Sequence, residues 1–324
     1  MALLNIRYDF RCPDICPVPV DELYEAAIEQ VVWAEKLGFV SVTLSEHHGS
    51  DDGYLPSLVA MASAIAARTE TIHIMLGALI APMHDPLRVA EDLAVLDRIS
   101  KGRMSVIVAG GYVPSEFAMF GHEMKDRVAL TVEMVDTLKA AWTGEPFEFR
   151  GRTVCVTPTP YQDPRPMIWL GGSSEGAARR AARIADGFLP SLPEFWDHYR
   201  DEVIKLGNPD PGPASSGSPG YLHITHDPDA TWAQVAPHAM HEMNAYGRWA
   251  AESGAATGYE PVDDPNILRA MGMHQLISPT EAIEMINGMA AMDAVMFHPL
   301  MGGLDPALAW ENLHLFESEV LPHL

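Results

Sequence analysis

FVSVTLSEHHGSDDGYLP, residues 39–56, decides how the rest of the chain is read. Gly38 ends whatever helix precedes it, and Val40, Val42, Thr43 and Leu44 then form an apolar, β-branched run that predicts a short buried strand. The run breaks into Ser45-Glu46-His47-His48-Gly49-Ser50-Asp51-Asp52-Gly53, a polar, glycine-punctuated loop. Two histidines and three carboxylates gathered at the C-terminal end of a strand stand where α/β proteins bind ligands. Two packed histidines beside solvated aspartates would give the same letters, so the stretch alone leaves both readings open.

Outward from this strand the chain alternates. Strands are predicted over 2–8, 39–44, 72–79, 104–109, 167–170, 187–189, 221–225 and 294–298. Helices are predicted between them, over 21–37, 57–67, 85–100, 125–142, 175–185, 194–206 and 231–249, with a last one over 306–320. The first of these helices keeps Leu23, Ala26, Ala27, Val31, Ala34 and Leu37 at helical spacing. Parallel neighbours need crossover helices, so this order predicts a parallel sheet. Eight strands in about 300 residues predict one (β/α)8 TIM barrel, a single domain over 1–324. Two insertions are expected: an antiparallel hairpin at about 146–158, and an irregular lid at about 250–272. Residues 208–220, NPDPGPASSGSPG, read as a loop. An open doubly wound sheet is the competitor, but the first strand runs into RCPDICP rather than a glycine fingerprint.

Composition narrows the function. The 324 residues carry 44 acidic against 21 basic side chains, a formal charge of −23. That field repels phosphate backbones and anionic membrane surfaces, so neither nucleic acid nor membrane is an expected partner. There is no membrane-length apolar run, and the N-terminus lacks the pattern of a signal peptide, which makes a cytoplasmic protein the expectation. Cys12, Cys16 and Cys155 are expected as reduced thiols.

Three further loops follow predicted strands. Gly171-Gly172-Ser173-Ser174 opens the helix EGAARRAARIA, where backbone N–H groups and two hydroxyls could cradle an anion, with Arg179, Arg180 and Arg183 further along. A serine cap with a solvated arginine face is the other reading. Gly77-Ala78-Leu79-Ile80-Ala81-Pro82 and Gly110-Gly111-Tyr112 end the third and fourth strands with small residues, which would admit a planar ligand close to the backbone. His238 and His241 stand three apart on a helix, but without a third ligand they read as surface histidines, and no metal site is expected.

Taken in order, LSEHHGSDDGYLPS, APMHDPLRVAEDLAVLDRISKGR, YVPSEFAMFG, PMIWLGGSSEGAARRAARIADGF and ALAWENLHLFESEVLPHL resemble the bacterial luciferase-like family of flavin-dependent oxidoreductases. The resemblance runs nearly end to end and is weakest over 207–275. It implies a barrel holding reduced FMN, or in one branch a deazaflavin coenzyme, at the C-terminal mouth. The catalytic histidine falls on His47, with Glu46 and His48 beside it. The family's non-proline cis peptide falls on Gly77–Ala78, and the cofactor phosphate on Ser173 and Ser174 beside Gly172. Bacterial luciferase has an arginine on the phosphate side where this chain has Gly110, next to Gly111; Arg179 or Arg180 is expected to substitute. The implied activity is that of a monooxygenase that takes reduced FMN from a separate flavin reductase and uses O2 to oxidise a small aldehyde- or ketone-like substrate. The alternatives are a deazaflavin-dependent hydride-transferring oxidoreductase and a non-catalytic flavin-binding protein. The family usually dimerises, and Leu58, Met61, Ile65 and Leu93 are expected to stay partly uncovered for a homodimer interface.

Overall fold

Repeated β-strand and α-helix units wind residues 2–214, 220–255, 257–290 and 293–324 in the computed structural model, the residues whose structure is described here. β1 (Leu3–Tyr8) leads through α1 (Val20–Lys36) to β2 (Ser41–Leu44), and α2 (Leu58–Arg68), β3 (His73–Ile80), α3 (Pro86–Ser100) and β4 (Met104–Ala109) continue the repeat. α4 (Pro114–Phe120) and α5 (Arg127–Ala141) follow, then β5 (Phe147–Phe149) and β6 (Arg152–Val154), which pair antiparallel. The alternation resumes with β7 (Ile168–Gly172), α6 (Glu175–Ile184), β8 (Gly187–Pro190) and α7 (Phe195–Lys205). β9 (Tyr221–Ile224), α8 (Pro228–Ser253), α9 (Pro265–Ala270), β10 (His274–Ile277), α10 (Pro279–Asn287), β11 (Ala294–Phe297) and α11 (Pro306–Leu315) complete the chain.

Seven strands hydrogen-bond in the order β11-β1-β2-β3-β4-β7-β8, every neighbour parallel, in a sheet that curls as a half-barrel. The expected ring of eight is corrected in one respect. Its seventh strand, β9, pairs with β10 in a separate parallel ladder, Tyr221 opposite His274. β10 reads HQLI, and its polar first half hid it from a search for apolar runs. Among the described residues no ladder joins either strand of this pair to the seven-stranded sheet.

The core follows from strand alternation. Val42 and Leu44 on β2, Ile74 and Leu76 on β3, and Val106 and Val108 on β4 are fully enclosed. Around the sheet, α1 turns Leu23, Ala27, Val31 and Ala34 inward, and α3 is fixed at both ends. Asp85 accepts from the backbone N–H groups of Leu87 and Arg88, while Lys101 adopts the left-handed conformation that closes the helix.

Leu58, Met61, Ile65 and Leu93 are between 0% and 7% exposed and are filled by the chain's own core, which corrects their assignment to a dimer surface. α8 runs to Ser253, four residues beyond Trp249, and α9 lies within 250–272, so both a part near the start and a part near the end of that expected lid are helical. Residue 256 of that segment and residues 215–219 of the 208–220 loop lie outside the described residues. Cys12 and Cys16 are free thiols, both donating to the Val18 carbonyl, and Cys155 is free as well. No helix among the described residues is long and apolar enough to cross a membrane.

Candidate active site

The loop after β2 divides its side chains between two faces. His47 turns to one, where its Nδ1 lies 2.8 Å from Oε1 of Glu116 at the start of α4. The same oxygen accepts the His48 backbone N–H at 2.8 Å. An oxygen already bound by an obligate donor acts as an acceptor, so His47 donates from Nδ1 and leaves Nε2 as the lone-pair nitrogen. Nε2 makes no hydrogen bond to any described residue. Glu116 is 1% exposed and His47 7%. Four rings surround the imidazole: Trp249 at 4.4 Å between centroids, Tyr54 at 4.9 Å, Tyr112 at 5.9 Å and Tyr246 at 6.0 Å. The structure thus gives His47 an orienting carboxylate, a free ring nitrogen and a largely apolar enclosure.

Behind these rings lies a charged layer. Arg11, with no exposure, pairs with Asp52 and stands 3.6 Å from Asp9. Its guanidinium lies over Tyr54, Tyr246 and Trp249 at 4.6, 4.8 and 5.0 Å. Tyr54 and Tyr246 join through their hydroxyls at 2.9 Å, and His241 holds Oδ2 of Asp52 at 2.7 Å. Burial alone would raise the Asp52 carboxyl; the His241 hydrogen bond and the Arg11 charge outweigh it and hold the group well below the usual carboxylate range. His238 is buried against the Gly302 carbonyl. Neither histidine is the surface residue expected from α8 alone, because both are taken up by segments distant in sequence.

Glu46 and His48 point to the other face, bonded to each other at 2.7 Å. Of the three residues assigned to catalysis, the structure sets only His47 among the rings.

The glycine loops lie at the ends of β3, β4 and β7. Gly77–Ala78 is a cis peptide, and the β3–β4 register shifts between Gly77 and Leu79. A Cβ on Gly77 would meet Thr43 at 3.0 Å and Ile107 at 3.1 Å; one on Gly111, at φ 68°, would meet Ile80 at 2.8 Å. One on Gly172 would meet Ala177 at 2.5 Å. Packing within the chain therefore requires glycine at 111 and 172, while at Gly77 the Thr43 and Ile107 side chains would have to give by a few tenths of an ångström. Ser174 is the cap of α6, its hydroxyl oxygen accepting from the Ala177 N–H at 3.2 Å, with Ser173 preceding it.

Arg179 does not turn to this cradle. Glu175 and Glu202 hold it at 2.8 and 3.1 Å, and Glu202 also takes Arg183 at 2.6 Å. Arg180 is different: it has no carboxylate partner among the described residues, and burial followed by the positive charge of Arg127 lowers its pKa. Arg127, also without such a partner, runs its stem beside Gly110, 3.9 Å from where a Cβ on that glycine would stand. In a chain of charge −23, two neighbouring guanidiniums with no carboxylate partner among the described residues offer positive charge to an anion.

Sequence reasoning missed Glu116 and Arg127. The first stands in a seven-residue helix too short for a periodic signal, the second at a helix start with nothing local to set it apart.

Residues 17–277 match the profile of the luciferase-like monooxygenase family. The oxygenase component of a flavin-dependent trigonelline monooxygenase from Acinetobacter baylyi is 26% identical over 333 residues, covering 93% of this chain and 90% of that protein. An F420-dependent glucose-6-phosphate dehydrogenase from Nakamurella multipartita is 30% identical over 210 residues, 58% of this chain and 61% of that one. Other curated relatives align over about half of their own length. Among solved structures, the monooxygenase RslO1 of Streptomyces bottropensis superposes with a TM-score of 0.77 at 23% identity, covering 99% of each chain, a likeness of fold. With its parallel half-barrel and a profile match spanning most of its length, the chain belongs to the luciferase-like monooxygenase family.

Proposed function

We propose that this protein is the oxygenase of a two-component flavin-dependent monooxygenase, using reduced FMN and O2 to oxidise a small organic substrate. The observation that carries the reading is His47: a buried imidazole oriented by Glu116, with Nε2 unbonded to any described residue inside a ring of aromatic side chains. The near-full-length relative named as an oxygenase component supports a separate reductase as partner.

The residues fit such a cofactor by the chemistry of their donors. Arg127, Arg180 and the hydroxyls of Ser173 and Ser174 would hold its phosphate. Bound reduced FMN would supply two electrons, with one oxygen atom of O2 going to the substrate and the other to water. The chain's own part is proton handling and exclusion of solvent. Nε2 of His47 takes a proton from the reacting group or, once protonated, returns it, while Glu116 keeps the ring from turning. Tyr54, Tyr112, Tyr246 and Trp249 keep bulk water from that nitrogen.

A deazaflavin coenzyme is the second reading, favoured by the F420-dependent relative at 30% identity. Titrating the purified protein with reduced FMN and with reduced deazaflavin, while recording oxygen uptake, separates the two. FMN binding with substrate-dependent oxygen uptake is expected. Tight binding of deazaflavin alone, with hydride transfer and no uptake, would replace the monooxygenase reading; FMN binding with no turnover would make the chain a flavin carrier. In the expected case His47→Ala lowers turnover by about 10²–10⁴ with flavin affinity kept.

A further inference from the structure

On the face of the loop turned away from His47, three ligand-type side chains converge. Nε2 of His48 lies 2.7 Å, and Nε2 of His84 2.8 Å, from the same Oε1 of Glu46. His84 arrives from the turn after β3, so the cluster ties two neighbouring strand ends together. Glu46 is 3% exposed, and its second oxygen, Oε2, is buried with no hydrogen-bond partner. Among the described residues no lysine or arginine pairs with it.

Among the described residues, a buried carboxyl group whose partners are two imidazoles and whose second oxygen is unbound is short of a positive counter-group. The acidic cluster deeper in the barrel makes the contrast. Asp9, Glu242 and His298 also approach one another, but Arg11 stands beside Asp9 and the charge of Arg7 acts on Glu242, so that group is already compensated.

We propose that Glu46, His48 and His84 form a binding site for one divalent first-row transition cation, Zn2+ being the simplest probe. All three ligand atoms lie within 4.8 Å of one another. Ligands about 2.1 Å from a tetrahedral metal stand about 3.4 Å apart, so nitrogen–oxygen separations of 2.7 and 2.8 Å need to open by about 0.6–0.7 Å. Two imidazoles and a carboxylate suit zinc, iron, cobalt or manganese, and three protein ligands leave positions open. These would face a cavity of about 140 Å³ lined by Glu46, His84, Leu79, Asp85, Asp92 and Arg88, whose guanidinium pairs with Asp92, and large enough for bound water. The cation would clamp Glu46 and His48 on either side of His47, anchoring the backbone that presents it. The site is independent of which coenzyme the opposite face takes.

The test uses the full chain, stripped with a chelator, dialysed and titrated with Zn2+ by calorimetry and with Co2+ by visible absorption. One equivalent per chain is expected, with cobalt bands marking nitrogen–oxygen coordination. His84 is the partly exposed ligand, its side chain 26% accessible, so its replacement leaves the core intact. His84→Gln keeps a hydrogen-bond donor for Glu46 but removes the ligand nitrogen; affinity should fall by more than about 100-fold, exceeding the usual effect of groups behind a metal's ligands. His226→Ala, at an exposed histidine paired with Glu319, should bind as the wild type does. Failure of the wild type to take up a stoichiometric cation, or equal uptake by His84→Gln, would overturn the assignment and leave Glu46 as a hydrogen-bonded bridge between two histidines.

Discussion

Glu116 offers the sharpest perturbation, because one oxygen serves two buried donors. In Glu116→Ala the Nδ1–H of His47 and the N–H of His48 both lose their acceptor. Each orphaned donor costs about 1–3 kcal/mol, so the pair costs about 2–6 kcal/mol. Unfolding entropy of about 2.1 cal/mol/K per residue over 324 residues converts each kcal/mol into roughly 1.5 °C, giving a drop of about 3–9 °C in melting temperature. Glu116→Gln keeps an oxygen in place and loses only the charge assistance, about 1 kcal/mol or 1–2 °C. Differential scanning calorimetry of the three proteins measures both values, and nitrogen NMR of His47 reports its tautomer directly. The wild type should carry its neutral-form proton on Nδ1. An alanine variant that melts with the wild type would mean the shared oxygen is not where the structure has it. A glutamine variant weaker than alanine would mean that desolvation of the buried group, rather than its two hydrogen bonds, dominates.

Two further outcomes are expected. Arg180→Ala should weaken FMN binding at least about tenfold, the worth of one charge-assisted hydrogen bond, while Arg179→Ala, whose partners are Glu175 and Glu202, should leave it within about threefold; the reverse order in an equilibrium titration would move the phosphate to the other face of α6. His223, 1% exposed, has its pKa lowered by burial from 6.5 to about 4, so between those values the unfolded chain binds the proton and the folded chain does not. Stability from this group is therefore complete above pH 6.5 and is lost as pH falls towards 4, about 3 kcal/mol in all. Urea unfolding of His223→Asn should show a flatter pH dependence across that window, and parallel curves for variant and wild type would refute the assignment.

What could be read from the letters was local. β2, β3 and β4 and the loops behind them declare themselves through β-branched runs that end in glycine or a polar cluster, and His47 stands out within SEHHGSDD. The partners of His47 do not. Glu116 is 69 residues away and Trp249 lies on a helix after β9, and no periodicity encodes which distant side chain closes on a given ring. The division of Glu46, His47 and His48 between two faces was partly visible in the alternation of an extended chain. The identity of the cations at the α5–α6 corner was not: Arg179 and Arg180 differ only by the 100° turn that carries one to Glu202 and the other towards Arg127. Burial of Leu58, Met61, Ile65 and Leu93 depended on how α2 and α3 meet, which a helical stripe does not specify.

α8 carries His238, His241, Glu242, Tyr246 and Trp249 on one rod, and each reaches a different part of the chain: the Gly302 carbonyl, Asp52, His274, Tyr54 and His47. Inserting or deleting a single residue before His238 would rotate all five together by about 100° and shift them by about 1.5 Å. The helix can therefore diversify by exchanging one side chain for another, but not by changing length. Lengthening that keeps these five contacts has to fall outside α8 itself, as in the segment 254–264 that follows it. A library aimed at new substrates would do best to keep the spacing of α8 and vary the length of that flank.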